Sequence, residues 1–533
     1  MHFLFSISWI LISLSHLQAE NPLDALKNPE LSPFYYGVAS GDPLQDRVIL
    51  WTKVDVENSP DSISVFWEIA RDTAFKDIAN SGTAISHKAN DFTVKVDANR
   101  LQSNTWYYYR FSFEETYSLT GRTKTLPADG EVDAVRLAVA SCQDYEFGYY
   151  NAYKSMVDRN QADAVVFLGD YIYEYGSYAL KEPTIEFRKR RVRYNYPEHE
   201  IVSLEDYRNR YRLYRLDSNL REAHRQFPWI CVWDDHEHAN NAWRTGAQNH
   251  QPETEGDWEE RLARSIKVYH EWLPIRLPEE DKPIKIYRNF EFGKLFNLLI
   301  LDARIIGRDK PVSRRIDIKD TLLNQENRYL LGLEQMQWIE NTLANSESEW
   351  TILGQQIMMA PLLIKNPIFD KTKVGNSDQW DGYPQERNRL RSIVEQNNID
   401  NLVVLSGDIH TAIVSHLPKS NFRRGRLANN WGVEFVTPSI SSRNLEKRML
   451  LFKLLTRSFN PNIKFLDLFA HGYYILDIRK ESVQADYFFA NRIKTRIFKE
   501  RKVRSYYVNN GKMRIRKSRK KAMTRQNYPP LAP

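Results

Sequence analysis

Residues able to bind metal or move protons sit just after short apolar runs. Ala140-Ser141-Cys142-Gln143 closes one run, and Leu168-Gly169-Asp170-Tyr171-Ile172-Tyr173 closes another. Trp233-Asp234-Asp235-His236-Glu237, followed by Asn240-Asn241, closes a third, and Leu405-Ser406-Gly407-Asp408-Ile409-His410 a fourth. Continuous apolar runs of this length read as strands buried on both faces. In an open α/β sheet the carboxyl ends of the strands form the ligand crevice. Four strand ends therefore bring Cys, Asp, Tyr, His and Asn to one edge. Burying such groups is costly unless they are paired or coordinated, and a shared metal site accounts for all of them together.

The ligand types narrow the chemistry. Carboxylate, amide and imidazole suit hard or borderline divalent ions, whereas phenolate and thiolate suit a strongly Lewis-acidic ion such as ferric iron. A mixed set points to more than one metal, with a carboxylate such as Asp170 bridging. Two metals a few ångströms apart can clamp an in-line displacement at phosphorus, one polarising a phosphoryl oxygen and the other making water a nucleophile near neutral pH. Taken singly, the residues have plainer uses: Tyr173 as a core aromatic, Cys142 as a small buried hydrophobe. The acidic–His cluster at 234–237 and the Gly-Asp-Ile-His at 407–410 are harder to explain by packing.

The elements that must position these residues fall into two kinds. From about Phe34 to Leu126 the pattern is all-β. Tyr107, Tyr109, Phe111 and Phe113 occupy one face of a strand, opposite Tyr108, Arg110 and Ser112, the period-two mark of a half-buried strand. Residues 34–127 are expected to form a small fibronectin- or Ig-like β-sandwich. After Pro127 strands alternate with helices, giving an α/β domain over 134–490. Expected strands include 135–140, 164–168, 230–233, 296–301, 402–405 and 433–436. Helices are expected at 149–159, 332–344 and within 187–226.

With 533 residues, 42% hydrophobic and 27% charged, the chain reads as globular and multidomain. The formal charge of +7 conceals a division: residues 492–533 hold fifteen Lys/Arg and one Glu, leaving the remainder acidic. Residues 491–533 are expected to be a basic tail, wholly or partly disordered and able to meet an anionic surface or polymer; no specific nucleic acid is expected. The apolar stretch Phe3–Leu14 is too short to span a bilayer. Followed by Ala19, it reads as a secretory signal peptide over 1–19, although it lacks a Lys/Arg n-region and a twin-arginine pair. Secretion, or a periplasmic or extracellular location, is the expectation, with no transmembrane segment.

Gly169-Asp170-x-x-Tyr173, Asp235-His236-Glu237 and Gly407-Asp408-x-His410 resemble the motifs of calcineurin-like metallophosphoesterases. A nearer resemblance is to the alkaline phosphatase D (PhoD) family. It rests on Tyr36-Gly37-Val38-Ala39-Ser40-Gly41-Asp42-Pro43 and Val48-Ile49-Leu50-Trp51-Thr52 at the N-terminal end. Further on it rests on Ala140–Gln143, Leu168–Glu174, Trp233–Glu237, Gly354-Gln355-Gln356, Trp380-Asp381-Gly382-Tyr383-Pro384 and Ser406–Ala412. The resemblance spans about residues 34–490 and implies an αββα sandwich behind the β-sandwich. It implies one ferric ion and calcium ions, with Cys142, Tyr173 and His410 at iron, Asp170 bridging, and Asp408 with Asn241, in preference to Asn240, at calcium. Asp235 stands where related phosphoesterases have a metal-binding Asn. His236 is placed near the leaving group as an acid or hydrogen-bond donor. Arg304 is either a phosphate clamp or an ion-pair partner of Asp302 or a neighbour.

The expected function is hydrolysis of phosphoric monoesters or diesters by metal-activated water. Alternatives are a phospholipase D-like or teichoic-acid phosphodiesterase, and a non-catalytic surface protein that binds polyanions through its tail.

Overall fold

The structure, a computed structural model, describes residues 21–56, 60–177, 191–312, 321–365, 372–374, 376–419, 429–444, 450–522 and 528–533. The expected signal peptide and residues 187–190 lie outside them. Among the described residues no helix is long and apolar enough to cross a membrane.

Eight strands come first: β1 (Val38–Gly41), β2 (Val48–Lys53), β3 (Ser62–Ala70), β4 (Ile78–His87), β5 (Thr93–Ala98), β6 (Trp106–Phe113), β7 (Thr116–Tyr117) and β8 (Gly121–Lys124). The alternation in β3 and β6 sends Val65, Ile69, Tyr107, Tyr109 and Phe111 inward, where they meet Val38, Leu50 and Val94 of β1, β2 and β5. Strands β3, β4, β6, β7 and β8 form one sheet of this sandwich. The facing strands β1, β2 and β5 are not a separate sheet, because β1 pairs in parallel with a later strand, β11.

The α/β part follows as β9 (Ala134–Ala140), α1 (Asn151–Arg159), β10 (Ala164–Phe167), α2 (Leu204–Arg215), α3 (Ser218–Gln226), β11 (Pro228–Cys231), α4 (Trp258–Trp272), β12 (Arg288–Phe292), β13 (Phe296–Ile300), α5 (Gly332–Ala344) and β14 (Trp350–Gly354). Then come β15 (Leu363–Lys365), β16 (Thr372–Val374), α6 (Pro384–Gln396), β17 (Leu402–Ser406), β18 (Ala412–Pro418), β19 (Asn430–Val436), α7 (Leu450–Phe459), β20 (Ile463–Asp467), β21 (His471–Arg479) and β22 (Ser482–Ala490). Two last strands, β23 (Glu500–Asn509) and β24 (Lys512–Ser518), follow.

Two large sheets stack face to face. One has ten strands in the order β24-β23-β22-β21-β9-β10-β11-β1-β2-β5, the other seven in the order β12-β13-β14-β17-β19-β18-β20. Their inner faces share a core of Leu137, Val139, Val165, Phe167, Leu298, Ile300, Ile352, Val403, Leu405 and Phe435. Alternate residues of the second sheet, Leu299, Leu353, Leu402 and Val404, point the other way and pack on Met336 and Ile339 of α5 and Leu390 and Ile393 of α6. Strands covered on both faces need apolar residues at most positions, which is why β13, β14 and β17 are apolar apart from the buried Asn297 and Thr351 and the terminal Ser406. With α1 and α3 against the ten-stranded sheet, the layers are helix, sheet, sheet, helix. The pairs β9–β10–β11 and β13–β14–β17–β19 are parallel, so their carboxyl ends open on one rim.

The expected disorder of the 491–533 tail does not hold for residues 500–518 or for the buried Ala532. Strands β23 and β24 extend the ten-stranded sheet. Tyr506, Val508 and Ile515 are buried in its core, and Ala532 is buried too. A strand needs an apolar residue at every second position rather than a neutral composition. Lys512, Arg514 and Arg516 take the exposed positions between, and charge on an edge strand also discourages unwanted pairing.

Candidate metal centre

The site residues follow strand ends closely, except Asn241, which lies in the loop ten residues past β11, and several hold a strained backbone. Cys142, Asp170, Asn241, Asp408 and His410 all adopt positive φ, between 51° and 61°. Non-glycine residues pay for this conformation, and such strain gathers at functional sites. The turns also need glycine: a Cβ on Gly169, at φ 98°, would lie 2.5 Å from the Asp234 backbone nitrogen. The loops after β10 and β11 therefore touch.

The side chains form three overlapping groups. Ligand atoms of Cys142, Asp170 and His410 lie within 4.8 Å of one another, as do those of Asp170, Asp235 and His236, and those of Asp234, Asp235 and Asp408. Asp170 belongs to the first two and Asp235 to the last two, which is the arrangement of adjoining cation sites with shared carboxylates. The Tyr173 hydroxyl completes the first group. It lies 2.9 Å from Asp170 Oδ2 and 3.1 Å from His410 Nε2, and accepts from Ser442 Oγ at 2.7 Å. His410 Nδ1 is 2.9 Å from the Arg443 carbonyl. A carbonyl only accepts, so Nδ1 carries a proton, and in the neutral imidazole the Nε2 lone pair faces the site.

The donor set fits cations. Asp170 Oδ1, Asp234 Oδ2 and Asp235 Oδ1 are buried and accept no hydrogen bond among the described residues. A buried oxygen left without a donor is expensive, and a bound cation removes that cost. Burial and the Asp170 charge push the Cys142 thiol and the Tyr173 phenol well up. Burial raises Asp408 to about 6 even against Arg304. Burial would raise Asp235 as well, but Arg304 and His236 outweigh it and hold that carboxyl below its usual range.

His236 is nearly buried, 8% exposed, beside Asp170 and Asp235. Its Nδ1 lies 2.6 Å from Glu174 Oε2. Burial works against a charged imidazole, but Glu174 and Asp235 outweigh it and hold His236 well above its ordinary value. The Glu174 carboxylate is itself fixed by the Asn240 amide at 2.8 Å and Asn249 Nδ2 at 2.7 Å. Asn241 donates its backbone N–H to Asp235 Oδ2 at 2.5 Å, and its side-chain amide bonds to Gln248.

For Arg304 the geometry favours the ion-pair alternative over the phosphate clamp. The side chain is wholly buried. It bonds to Asp234 through Nε, to Asp378 Oδ2 at 2.8 Å and to Asp408 Oδ1 at 2.5 Å. Asp302 instead accepts the Arg304 and Ile305 amides, at 2.8 and 2.9 Å. The guanidinium thus faces carboxylates rather than an open position.

Several residues that matter were not singled out by sequence reasoning. Glu174, Glu237 and Gln356 fall inside quoted motifs, yet nothing in the motifs distinguishes a ligand from a side chain that holds one. Gln379 Nε2 reaches Asp408 Oδ2 at 2.6 Å from just before the Trp380–Pro384 stretch. Gln356 bonds the Trp233 and Leu301 carbonyls at 2.7 and 3.0 Å and the Ala303 amide at 3.0 Å, tying strand ends of both sheets together. Ser442 and the Arg443 carbonyl had no signal at all.

A four-layer α/β fold with overlapping groups of candidate metal ligands at the rim of its two sheets has the layout of a metal-dependent phosphoric-ester hydrolase. Residues 137–487 match the PhoD-like phosphatase family, and residues 20–127 match the N-terminal domain of PhoD-like phosphatases. The chain belongs to the PhoD-like phosphatase family. Alkaline phosphatase D of Bacillus subtilis (strain 168) is 36% identical over 501 residues, covering 90% of this chain and 82% of that protein. The solved structure of PhoD aligns with a TM-score of 0.83 at 34% identity, over 93% of this chain and 94% of the other. A purple acid phosphatase, PPD1 from yellow lupin (Lupinus luteus) seeds, shares the fold with a TM-score of 0.55 at 12% identity, over 89% of this chain and 74% of that one.

Proposed function

We propose that the chain hydrolyses phosphomonoesters or phosphodiesters outside the cytoplasm. In this reading Cys142, Asp170, Tyr173 and His410 hold a ferric ion, while Asp235, Asn241 and Asp408 hold calcium, with Asp170 shared. The observation that carries it is the fusion of three ligand groups through Asp170 and Asp235, with buried carboxylate oxygens left without donors. The family, and a relative named alkaline phosphatase D, support the substrate class. Such ions supply Lewis acidity toward a phosphoryl oxygen and lower the pKa of water. The protein's own part is to position. Glu174 orients His236 beside Asp170 and Asp235, where a protonated imidazole can deliver a proton to the leaving oxygen. Arg304 offsets the carboxylates that would otherwise repel one another.

The deciding experiment is elemental analysis of the purified protein beside activity on mono- and bis-nitrophenyl phosphate. Iron and calcium should be stoichiometric, and Asp170→Asn should abolish turnover in a folded protein. Undiminished turnover in that variant rejects the site. The ratio of the two activities separates a phosphatase from a phosphodiesterase.

Export is supported by the apolar stretch 3–14 followed by Ala19. Recovery of the protein from the cytoplasm with residues 1–19 retained would overturn it.

A second reading concerns an anionic surface or polymer. Lys419, Lys512, Arg514 and Arg516 line an open cleft of about 480 Å³ together with Asn429 and Asn509. Lys464 is lowered first by burial and then by Arg514 and Arg457, so like charges crowd there. The cleft lies at the far ends of β18 and β19 from the metal centre, which suits anchoring rather than catalysis. Retention on anionic liposomes or a polyphosphate resin should fall with salt and be lost in an Arg514→Glu, Arg516→Glu variant. Equal retention by that variant rejects this reading.

A further inference from the structure

The segment Tyr528–Pro533 lies across a groove built by β6, β8, the end of α1 and the end of α3, and the groove recognises its main chain. Arg122 Nη1 donates to the Pro529 and Pro530 carbonyls at 2.9 and 3.3 Å. The Tyr108 hydroxyl donates to the Pro530 carbonyl at 2.9 Å. Asn160, which follows α1, adds Nδ2 to the Pro529 carbonyl at 3.3 Å. The Gln226 side chain pairs with Ala532 at both ends, accepting from its N–H at 2.9 Å and donating to its carbonyl at 3.1 Å. Arg225 Nη1 donates to the Pro533 oxygen at 2.6 Å. Trp106 meets the Tyr528 ring edge-on at 6.1 Å. Ala532 is 4% exposed, so its methyl fills a closed position, and Leu531 packs on the main core.

Arg122 makes this more than a surface contact. Its guanidinium is wholly buried, stacked 4.4 Å from Trp106 and 5.3 Å from Phe227. It has no ion-pair partner among the described residues. Its hydrogen bonds are to neutral oxygens: the Gln226 carbonyl at 3.1 Å, Asn160 Oδ1 at 2.8 Å, and the two proline carbonyls. A buried cation must keep its acceptors. Here Pro529 and Pro530 supply the acceptors for one terminal nitrogen. Proline suits that role, since it presents carbonyls without a competing N–H and is already extended. Aromatic walls with a few fixed donors are a recurrent way of binding proline-rich peptides.

We propose that this groove is a binding site for a proline-rich peptide, filled within the chain by Tyr528–Pro533. Its occupant clasps the N-terminal sheet, through Arg122 and Tyr108, to the catalytic body, through Gln226, Arg225 and Asn160.

The test uses the full chain and a chain lacking residues 528–533, with a synthetic peptide of the sequence Tyr528–Pro533. The shortened protein should melt at a lower temperature, and added peptide should restore the melting point. By calorimetry the peptide should bind the shortened protein, and at least about a hundred-fold more weakly to the full chain, whose groove is already filled at high effective concentration. A peptide carrying Ala532→Trp should bind at least about ten-fold more weakly, because the closed methyl position cannot admit an indole. No binding to a shortened protein that still hydrolyses nitrophenyl phosphate overturns the proposal, as does equal binding to both proteins. If the shortened chain does not fold, hydrogen exchange in the intact protein decides. The Ala532 amide should exchange about a hundred-fold or more slowly than in the free peptide, and unprotected exchange there rejects the clasp.

Discussion

The backbone N–H of Asp170 donates to the carboxylate of Glu237 at 3.1 Å. The same carboxylate accepts from the amides of Tyr171 at 2.5 Å and Asp234 at 2.8 Å. One buried side chain therefore sets the loops after β10 and β11 against each other, and with them the central carboxylate of the site. Groups that orient metal ligands typically matter by about ten- to a hundred-fold in affinity or activity. Glu237→Gln should lower kcat/KM for nitrophenyl phosphate, and the metal content, by about that factor, in a protein of unchanged circular dichroism.

Removing one ligand should separate the two kinds of ion. Tyr173→Phe and Cys142→Ser each take a soft or phenolic donor from the Cys142–His410 group and leave Asp408 and Asn241 in place. Iron content should fall about ten-fold or more while calcium is retained. Equal loss of both metals would contradict the assignment.

Metal uptake should release protons. Burial and the Asp170 charge push Cys142 and Tyr173 well up, so both are protonated in the metal-free protein at neutral pH. Ligation as thiolate and phenolate must displace those protons. The apparent affinity for iron should therefore rise with pH, and a weakly buffered titration should show acid release. An affinity independent of pH between 6 and about 8 would contradict thiolate and phenolate ligation.

If His236 protonates the leaving oxygen, its loss should depend on how much the leaving group needs a proton. His236→Ala should cost about a hundred-fold or more with an alkyl phosphate, and distinctly less with nitrophenyl phosphate. Glu174→Gln should follow the same pattern more weakly, since Glu174 acts through the imidazole.

Asp42 belongs to the Gly41-Asp42-Pro43 stretch, yet it does no chemistry. Its carboxylate takes Arg288 Nε at 2.8 Å and Nη2 at 2.7 Å, and the Arg276 amide at 2.7 Å. It joins the end of β1 to β12 of the other sheet. Breaking a buried pair from one side costs about 3–5 kcal/mol. Asp42→Asn should lower the urea midpoint while leaving kcat near its original value at low temperature.

The residues that announced themselves in the sequence were those with two unusual properties at once: polar, and placed immediately after an apolar run. Cys142, Asp170, Asp235, Asp408 and His410 met both, and the structure brings them to one rim. The α/β order and the helix at 332–344 were legible because period and length left little choice. Glu237 was read only as a motif member, and Arg304 as either a phosphate clamp or an ion-pair partner, because a motif records which residues occur together, not which way each one points. Residues 491–533 misled for another reason: their charge outweighed a two-residue apolar period that is visible once Tyr506, Val508 and Ile515 are aligned. Ser442 lay beyond reach, since only the folding of the stretch after β19 over the site brings its hydroxyl to Tyr173.

The parallel pairing of Ser40 with Pro228 and Gly41 with Trp229 bears on how the chain is made. Synthesis runs from the N-terminus, so β1, β2 and β5 emerge well before β11. Until β11 arrives, the nascent N-terminal unit carries a bare edge along β1, with unpaired amides and carbonyls open to any other strand. The hazardous interval in the life of this protein is thus early in translation, and it closes when the third strand of the catalytic sheet is threaded beside the first strand made.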